Sequence, residues 1–198
     1  MKIFVIGDIH GQYDALCSVL SASGFRDDTD RLIGLGDVYD GPFPEKCIER
    51  LLKIRDLVAV VGNNDLLIRD EQVRLGVEIP ETPFLMSLRP YYIDDGRLFI
   101  HGGFDPHKPF QLQNEYDYSS SRHLPQMAWR AHQNGEPFEV DGFREVYVGH
   151  TRTQVFGQTQ PFCLANLWMM DTGAAFGHGG FLSLMDVGTK QFWQSPAK

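Results

Sequence analysis

Cysteine is scarce in this chain, with three residues among 198. Cys17, Cys47 and Cys163 are odd in number, far apart and in no CxxC pair, which excludes a disulfide framework and a thiolate zinc site. Cys17 and Cys47 fall on apolar faces of predicted helices, where a thiol acts as a small hydrophobe. Long hydrophobic runs are also missing. Met1 to Gly7 is too short for a signal-peptide core or a membrane span, and no later run approaches about 18 apolar residues. A cytoplasmic protein without a membrane partner is expected. Basic residues are in the minority, 18 Lys and Arg against 26 Asp and Glu, for a net charge of −8. Such a balance excludes a nonspecific binder of the nucleic-acid backbone, which needs a basic face. No repeat, low-complexity tract or linker divides the chain, so one domain over residues 1–198 is expected.

What is present is 42% hydrophobic and 22% charged residues, an ordinary globular composition, together with 20 Gly and seven His. The apolar residues are organised. Five short, β-branched runs each stop at Gly or His followed by a polar residue: Ile3–Ile6, Leu32–Leu35, Leu57–Val61, Leu98–Ile100 and Val146–Val148. Runs of this kind read as buried strands. Between the first three lie helical periods, Tyr13, Leu16, Cys17 and Leu20, then Cys47, Ile48, Leu51 and Leu52. Alternating strands and helices predict parallel βαβ units, whose ligands gather at the carboxyl edge of the sheet. The last quarter, with runs at Phe162–Ala165, Leu167–Met170, Phe181–Asp186 and Gln191–Trp193, predicts a closing antiparallel meander. Residues 104–143 form a polar insert with one helix around Pro125–Asn134.

The residues that end the runs carry the chemistry. Asp8 and His10 follow the first, Asp37 the second, Asn63 the third, and His101 and His150 the last two. Carboxylate, amide and imidazole donors together suit Mn, Fe, Zn or Mg rather than soft copper. Six donors exceed what one ion with an open position needs, and they fit two ions about 3.5–4 Å apart sharing a carboxylate. Any one of these residues alone reads as a strand-end cap; six in this arrangement do not.

GDIHG (Gly7–Gly11), GDVYD (Gly36–Asp40), GNND (Gly62–Asp65), HGG (His101–Gly103) and GHT (Gly149–Thr151) occur in this order, followed by DTGAAFGHGGFLSLMD (Asp171–Asp186). In these motifs the chain resembles the calcineurin-like metallophosphoesterases, nearest to the bacterial phosphoprotein-phosphatase branch that includes the symmetrical diadenosine tetraphosphate hydrolases. The resemblance implies an α/β fold, a β-sandwich flanked by helices in four layers, α/β/β/α. It implies two divalent metal ions, with manganese as the family's guess. Asp8, His10 and Asp37 would hold the first ion, and Asp37, Asn63, His101 and His150 the second, with Asp37 as bridge. A water shared by the ions would become the hydroxide that attacks phosphorus. It also implies a phosphate-binding Arg beside a Trp in the insert, matched by Arg130 after Trp129, with Arg122 as a rival. Arg152, directly after GHT, is a second substrate contact. Tyr116 and Tyr118 are candidates to stack on a nucleobase.

Two departures from the family pattern shape the expected activity. GDxVDRG is here GDVYDGP, so Asp40 stays as a catalytic candidate while the phosphate-gripping Arg becomes Gly41. GNHE or GNHD is here GNND, so the proton-donating His becomes Asn64. Asn has no titratable proton near neutral pH, and general acid catalysis is worth about 10²–10⁴-fold. The expectation is a phosphoesterase that favours good leaving groups, acting on a nucleotide, a small organic phosphate or a phosphoprotein. His178 and His107 are candidates to replace the lost acid. Two alternatives stand beside this reading: a protein serine/threonine phosphatase, and a catalytically weakened scaffold of the same fold.

Overall fold

The computed structural model describes residues 1–177 and 179–198. The strand runs become two five-stranded sheets. In the first, β1 (Ile3–Ile6), β2 (Arg31–Gly34) and β3 (Asp56–Ala59) are parallel, and β9 (Phe181–Asp186) and β10 (Phe192–Pro196) add antiparallel, in the order β10-β9-β1-β2-β3. The second has the order β4-β5-β6-β8-β7, with β4 (Tyr91–Asp94), β5 (Arg97–Ile100), β6 (Glu145–Val148), β7 (Phe162–Leu164) and β8 (Leu167–Met169). Here β5, β6 and β8 run parallel while β4 and β7 are antiparallel edges.

Burial separates the chain into layers. The seam between the sheets is filled by Val5, Ile33, Leu35, Val60, Phe99, Tyr147, Met170 and Met185. Every strand that contributes there is apolar on its other face as well, as a doubly covered strand must be. The outer face of the first sheet packs under α1 (Tyr13–Ala22), α2 (Pro44–Leu51), α3 (Asn63–Leu75) and α4 (Thr82–Ser87), with Phe4, Ile6, Leu16, Leu51 and Leu66 in one cluster. The outer face of the second packs under the insert, through α6 (His123–Asn134) and Tyr118 of α5 (Glu115–Ser120). The result is the expected four-layer α/β/β/α sandwich. Among the described residues no helix is long and apolar enough to cross a membrane.

The C-terminal quarter departs from the predicted meander. β7–β8 and β9–β10 are two separate hairpins, one in each sheet. β8 leaves its hairpin partner on one side and lies parallel to β6 on the other, with Val146 opposite Leu167. The chain then passes from β8 in one sheet to β9 in the other, and Met170 N, just after β8, donates to the carbonyl of Val148 at the end of β6. The insert also holds more than the one expected helix, since α5 precedes α6.

Candidate active site

All five strand ends that carry polar residues face the same edge. The loops after β1 and β2 are interlocked, since His10 N donates to Asp37 O at 2.8 Å and Ile9 N to the same oxygen at 3.2 Å. This threading forces unusual backbone. His10, Asp37 and His150 have φ of 45°, 50° and 60°, left-handed values that cost a non-glycine residue on the order of 1–3 kcal/mol each. Three of the predicted ligands thus sit in strained conformations that the surrounding fold enforces. Neighbouring glycines make room for them. A Cβ on Gly62 would lie 2.0 Å from Asp37 Oδ1, and one on Gly149 would lie 2.1 Å from Asp8 Oδ1.

Asp8, His10 and Asp37 are buried and place ligand atoms within 4.8 Å of one another. His10 Nε2 is 3.9 Å from Asp8 Oδ2 and 3.7 Å from Asp37 Oδ2. On the other side of Asp37, His101 Nε2 is 3.4 Å from Asp37 Oδ2 and 3.2 Å from Asn63 Oδ1. The His150 ring centroid is 5.1 Å from that of His101, and its backbone N–H donates to Asp8 Oδ2 at 3.0 Å. Asp37 therefore lies between two groups of donors. Asp8, His10, Asp37, Asn63, His101 and His150 all stand at this one edge.

Each imidazole has one nitrogen occupied away from this cluster. His10 Nδ1 is 2.5 Å from Asp40 Oδ1, His101 Nδ1 is 2.6 Å from the Leu35 carbonyl, and His150 Nε2 is 3.2 Å from the Ser120 carbonyl. In the neutral rings, donation to these acceptors fixes the tautomers and leaves Nε2 of His10, Nε2 of His101 and Nδ1 of His150 as the lone-pair atoms. That is the arrangement typical of metal-bound histidines.

The electrostatics point the same way. Burial, then the neighbouring Asp171, raise the Asp8 carboxyl well above its ordinary range. Burial also acts on Asp37, but His101 and His10 outweigh it and hold that carboxyl far below the usual value. Burial opposes charge on His10, yet the Asp40 bond and three carboxylates push it up to about 9. His101 is likewise pushed up to about 10 against its own burial by Asp37 and Asp8. Burial and the adjacent His101 and Arg122 push His150 down to about 3. Among the described residues no Lys or Arg is paired with Asp8 or Asp37, whose only cationic neighbours within 4 Å are histidines. A buried carboxylate pair without a fixed cation, faced by His10 Nε2 and His101 Nε2, is a donor set that fits divalent metal ions.

Asn64 and Asp40 stand beside this cluster. The Asn64 amide donates to Asp37 Oδ2 and Asp40 Oδ2, both at 3.0 Å, and its backbone N–H reaches Asp37 Oδ1 at 3.0 Å. Asp40 thus bridges Asn64 and His10. Gly41 has φ 79°, and a Cβ there would fall 2.0 Å from the His10 carbonyl oxygen, so this turn cannot carry the family's Arg without moving. Asp65 holds the floor. It is fully buried and accepts from the backbone N–H groups of Val38, Tyr39 and Gly62. Its position three residues after the Gly62 cap of α3 is the signal by which a sequence reading finds it.

The cluster forms one wall of a cleft of about 540 Å³, and Arg122 and Gln126 of the insert, Arg152, Val155 and Phe156 after β6, and Ala175 and Phe176 after β8 form the other. Arg122 and Arg152 line it. Arg130 does not, being exposed on α6, so the insert's arginine at the cleft is Arg122. α6 begins at His123, which places Arg122 at its entrance, where it donates to the His150 carbonyl at 2.6 Å. Arg130 lies two turns further along. Neither tyrosine faces the cleft: Tyr118 is buried against Tyr91 and Phe110, and Tyr116 bonds Asp70. His107 is exposed and outside the cleft lining, and His178 lies outside the described residues.

A two-sheet sandwich with acids, amides and imidazoles at the carboxyl ends of its strands is the architecture of the metallophosphatases. The calcineurin-like phosphoesterase family model matches residues 1–167, and the chain belongs to that family of hydrolases. Serine/threonine-protein phosphatase 1 of Salmonella typhimurium is 26% identical over 93% of this chain and 91% of its own length. Serine/threonine-protein phosphatase 2 of the same organism is 40% identical over 68 residues, which is 34% of this chain and 31% of that protein. Among solved structures, a candidate diadenosine tetraphosphatase superposes with a TM-score of 0.78 at 18% identity, over 100% of this chain and 94% of that one.

Proposed function

We propose that this chain is a dinuclear-metal-dependent phosphoesterase that hydrolyses phosphate esters or anhydrides with good leaving groups. Asp8, His10 and Asp37 would hold one divalent ion and Asn63, His101 and His150 a second, with Asp37 serving both. The observation that carries this reading is the placement of His10 Nε2 and His101 Nε2 at 3.7 Å and 3.4 Å from Asp37 Oδ2, with the other nitrogen of each ring bonded away from the cluster. The ions, when bound, supply positive charge to the phosphate oxygens and lower the pKa of water in the site. Manganese is the metal to try first, on family grounds.

The remaining roles belong to the chain's own groups. Asp40 orients His10 through its Nδ1 and steadies the Asn64 amide. Arg122 and Arg152, on the opposite wall, supply guanidinium charge to an anionic substrate where Gly41 supplies none. Asn64 donates amide hydrogens to Asp37 and Asp40 and has no acidic proton to pass to a departing alkoxide. An aryl oxide or a phosphate needs no such proton, whereas a serine alkoxide does.

Hydrolysis of a series of phosphate esters and anhydrides of graded leaving-group pKa tests this, with added Mn²⁺ and metal analysis alongside. The expected result is about two ions per chain and a kcat/KM that falls steeply as leaving-group pKa rises. The names of the two Salmonella relatives support a second reading, a protein serine/threonine phosphatase. A flat dependence, or best activity on phosphoserine peptides, selects that reading instead. Metal-free, inert protein would select the scaffold.

A further inference from the structure

The cleft is larger than a phosphate group requires, and the part beyond the acidic wall is differently built. Phe176 stands there 60% exposed, and the Arg152 guanidinium lies 3.8 Å from its ring centroid. Val155 is 58% exposed beside it, and Phe156 and Ala175 complete an apolar wall continuous with the cleft. Large apolar side chains left open inside a concave site mark where an apolar part of a ligand binds. The backbone under this wall is tied down. The Gln154 side-chain Nε2 donates to the Thr172 carbonyl at 2.7 Å, and Thr153 N donates to the Asp171 carbonyl at 2.8 Å. Among the described residues Arg152 has no carboxylate within 4 Å, and its guanidinium lies over the Phe176 ring.

We infer that Phe176 and Arg152 form a stacking platform for a planar aromatic group of the substrate, a nucleobase attached through its sugar to the phosphate. The inference rests on the phosphoesterase reading and names the substrate class of that same site. A ring and a guanidinium in face contact present the flat, polarisable surface on which bases stack without regard to their hydrogen-bonding edges. The volume, about 540 Å³, lies within the range of small-ligand sites. A phosphoserine peptide offers no planar group for this surface. Arg152 thereby contacts the base while its charge still faces the anionic substrate, and Arg122 is the guanidinium bonded on the His150 side of the site.

The test compares two ligands that carry the same primary phosphate ester and differ only in the base, adenosine 5′-monophosphate and ribose 5-phosphate. Their dissociation constants are measured by calorimetry on the manganese-loaded chain and on two variants, Phe176→Leu and Phe176→Trp. The exposed ring is not a core element, and Phe176→Trp keeps an aromatic face in any event. The expected result is about tenfold tighter binding of the nucleotide (about 1.4 kcal/mol), a ratio that falls towards one in Phe176→Leu and persists in Phe176→Trp. Equal affinities in the unmodified chain, or a ratio indifferent to Phe176→Leu, overturn the platform. If p-nitrophenyl phosphate is hydrolysed while the two ligands bind alike, only the platform fails. If it is not hydrolysed at all, the phosphoesterase reading fails, and the ratio still decides the platform.

Discussion

A single methyl group placed on Gly149 tests the geometry of the site without removing any polar atom. A Cβ there would lie 2.1 Å from Asp8 Oδ1, whereas ordinary contact begins at 3.4 Å. Gly149 does not have a positive φ, so alanine can adopt its backbone conformation and the strain falls on the neighbour. Asp8 Oδ2 accepts the His150 N–H at 3.0 Å, which limits how far the carboxylate can move without dragging the His150 backbone with it. A displacement of roughly 1.3 Å at a reacting centre costs on the order of 10²-fold in rate, or about 2.7 kcal/mol. Gly149→Ala is therefore expected to lower kcat/KM for p-nitrophenyl phosphate about 100-fold and to weaken metal retention. Gly34→Ala is the control. It lies in β2, three residues before Asp37, and its added methyl would meet nothing nearer than 3.6 Å. Metal analysis by mass spectrometry and steady-state kinetics read both variants. Wild-type metal content and activity in Gly149→Ala would refute the placement of Asp8 in the reacting centre.

Metal binding should release protons. In the metal-free chain His10 and His101 stay protonated at pH 7, because their values of about 9 and 10 lie above it, and both must become neutral to bind an ion. Metal affinity should thus rise with pH through the window from about 7 to 10, and binding heats should differ between buffers of different ionisation enthalpy; buffer-independent heats would contradict this. Asn64→His returns a titratable proton to a position beside Asp40, and kcat/KM for alkyl phosphates should rise about tenfold or more, with little gain for p-nitrophenyl phosphate. An equal gain on both substrates would count against the missing-acid argument. Asp65→Ala leaves the Val38, Tyr39 and Gly62 N–H groups without their acceptor, at a cost of about 3 kcal/mol or more. Denaturant unfolding reads that loss, and an unchanged midpoint would show that the loop is held by other means.

Strand ends were the most legible part of the molecule. A run such as Val146–Val148 is apolar on both faces because the sheet is covered on both sides, and the polar residue after it must then lie at the edge. The convergence of Asp8 and Asp37 follows from the parallel pairing of β1 with β2, whereas His150, at the end of β6, reaches them only because the second sheet packs on the first. Local pattern was silent where a long-range choice decided. Leu167–Met169 is a three-residue apolar run whose alternation does not record that it pairs parallel with β6 rather than continuing into β9. α3 escapes a periodicity reading because Leu67 and Val73 are exposed while Asp65 and Gln72 are buried. In the insert, Trp129 draws attention to Arg130, yet Trp129 packs against Phe156 and His132, and the helix turns Arg130 away from the cleft. Arg122 was distinguishable only by its place before the helix. Phe176 carried no sequence signal beyond its glycine-rich surroundings, since an exposed aromatic and a core aromatic look alike in one sequence.

The shared role of Asp37 is most directly measured by anomalous diffraction from crystals of the chain grown with Mn²⁺. The account predicts two peaks about 3.5–4 Å apart, one beside Asp8 and His10, the other beside Asn63, His101 and His150, with the Asp37 carboxylate touching both. A single peak, or two peaks that Asp37 does not join, would contradict it.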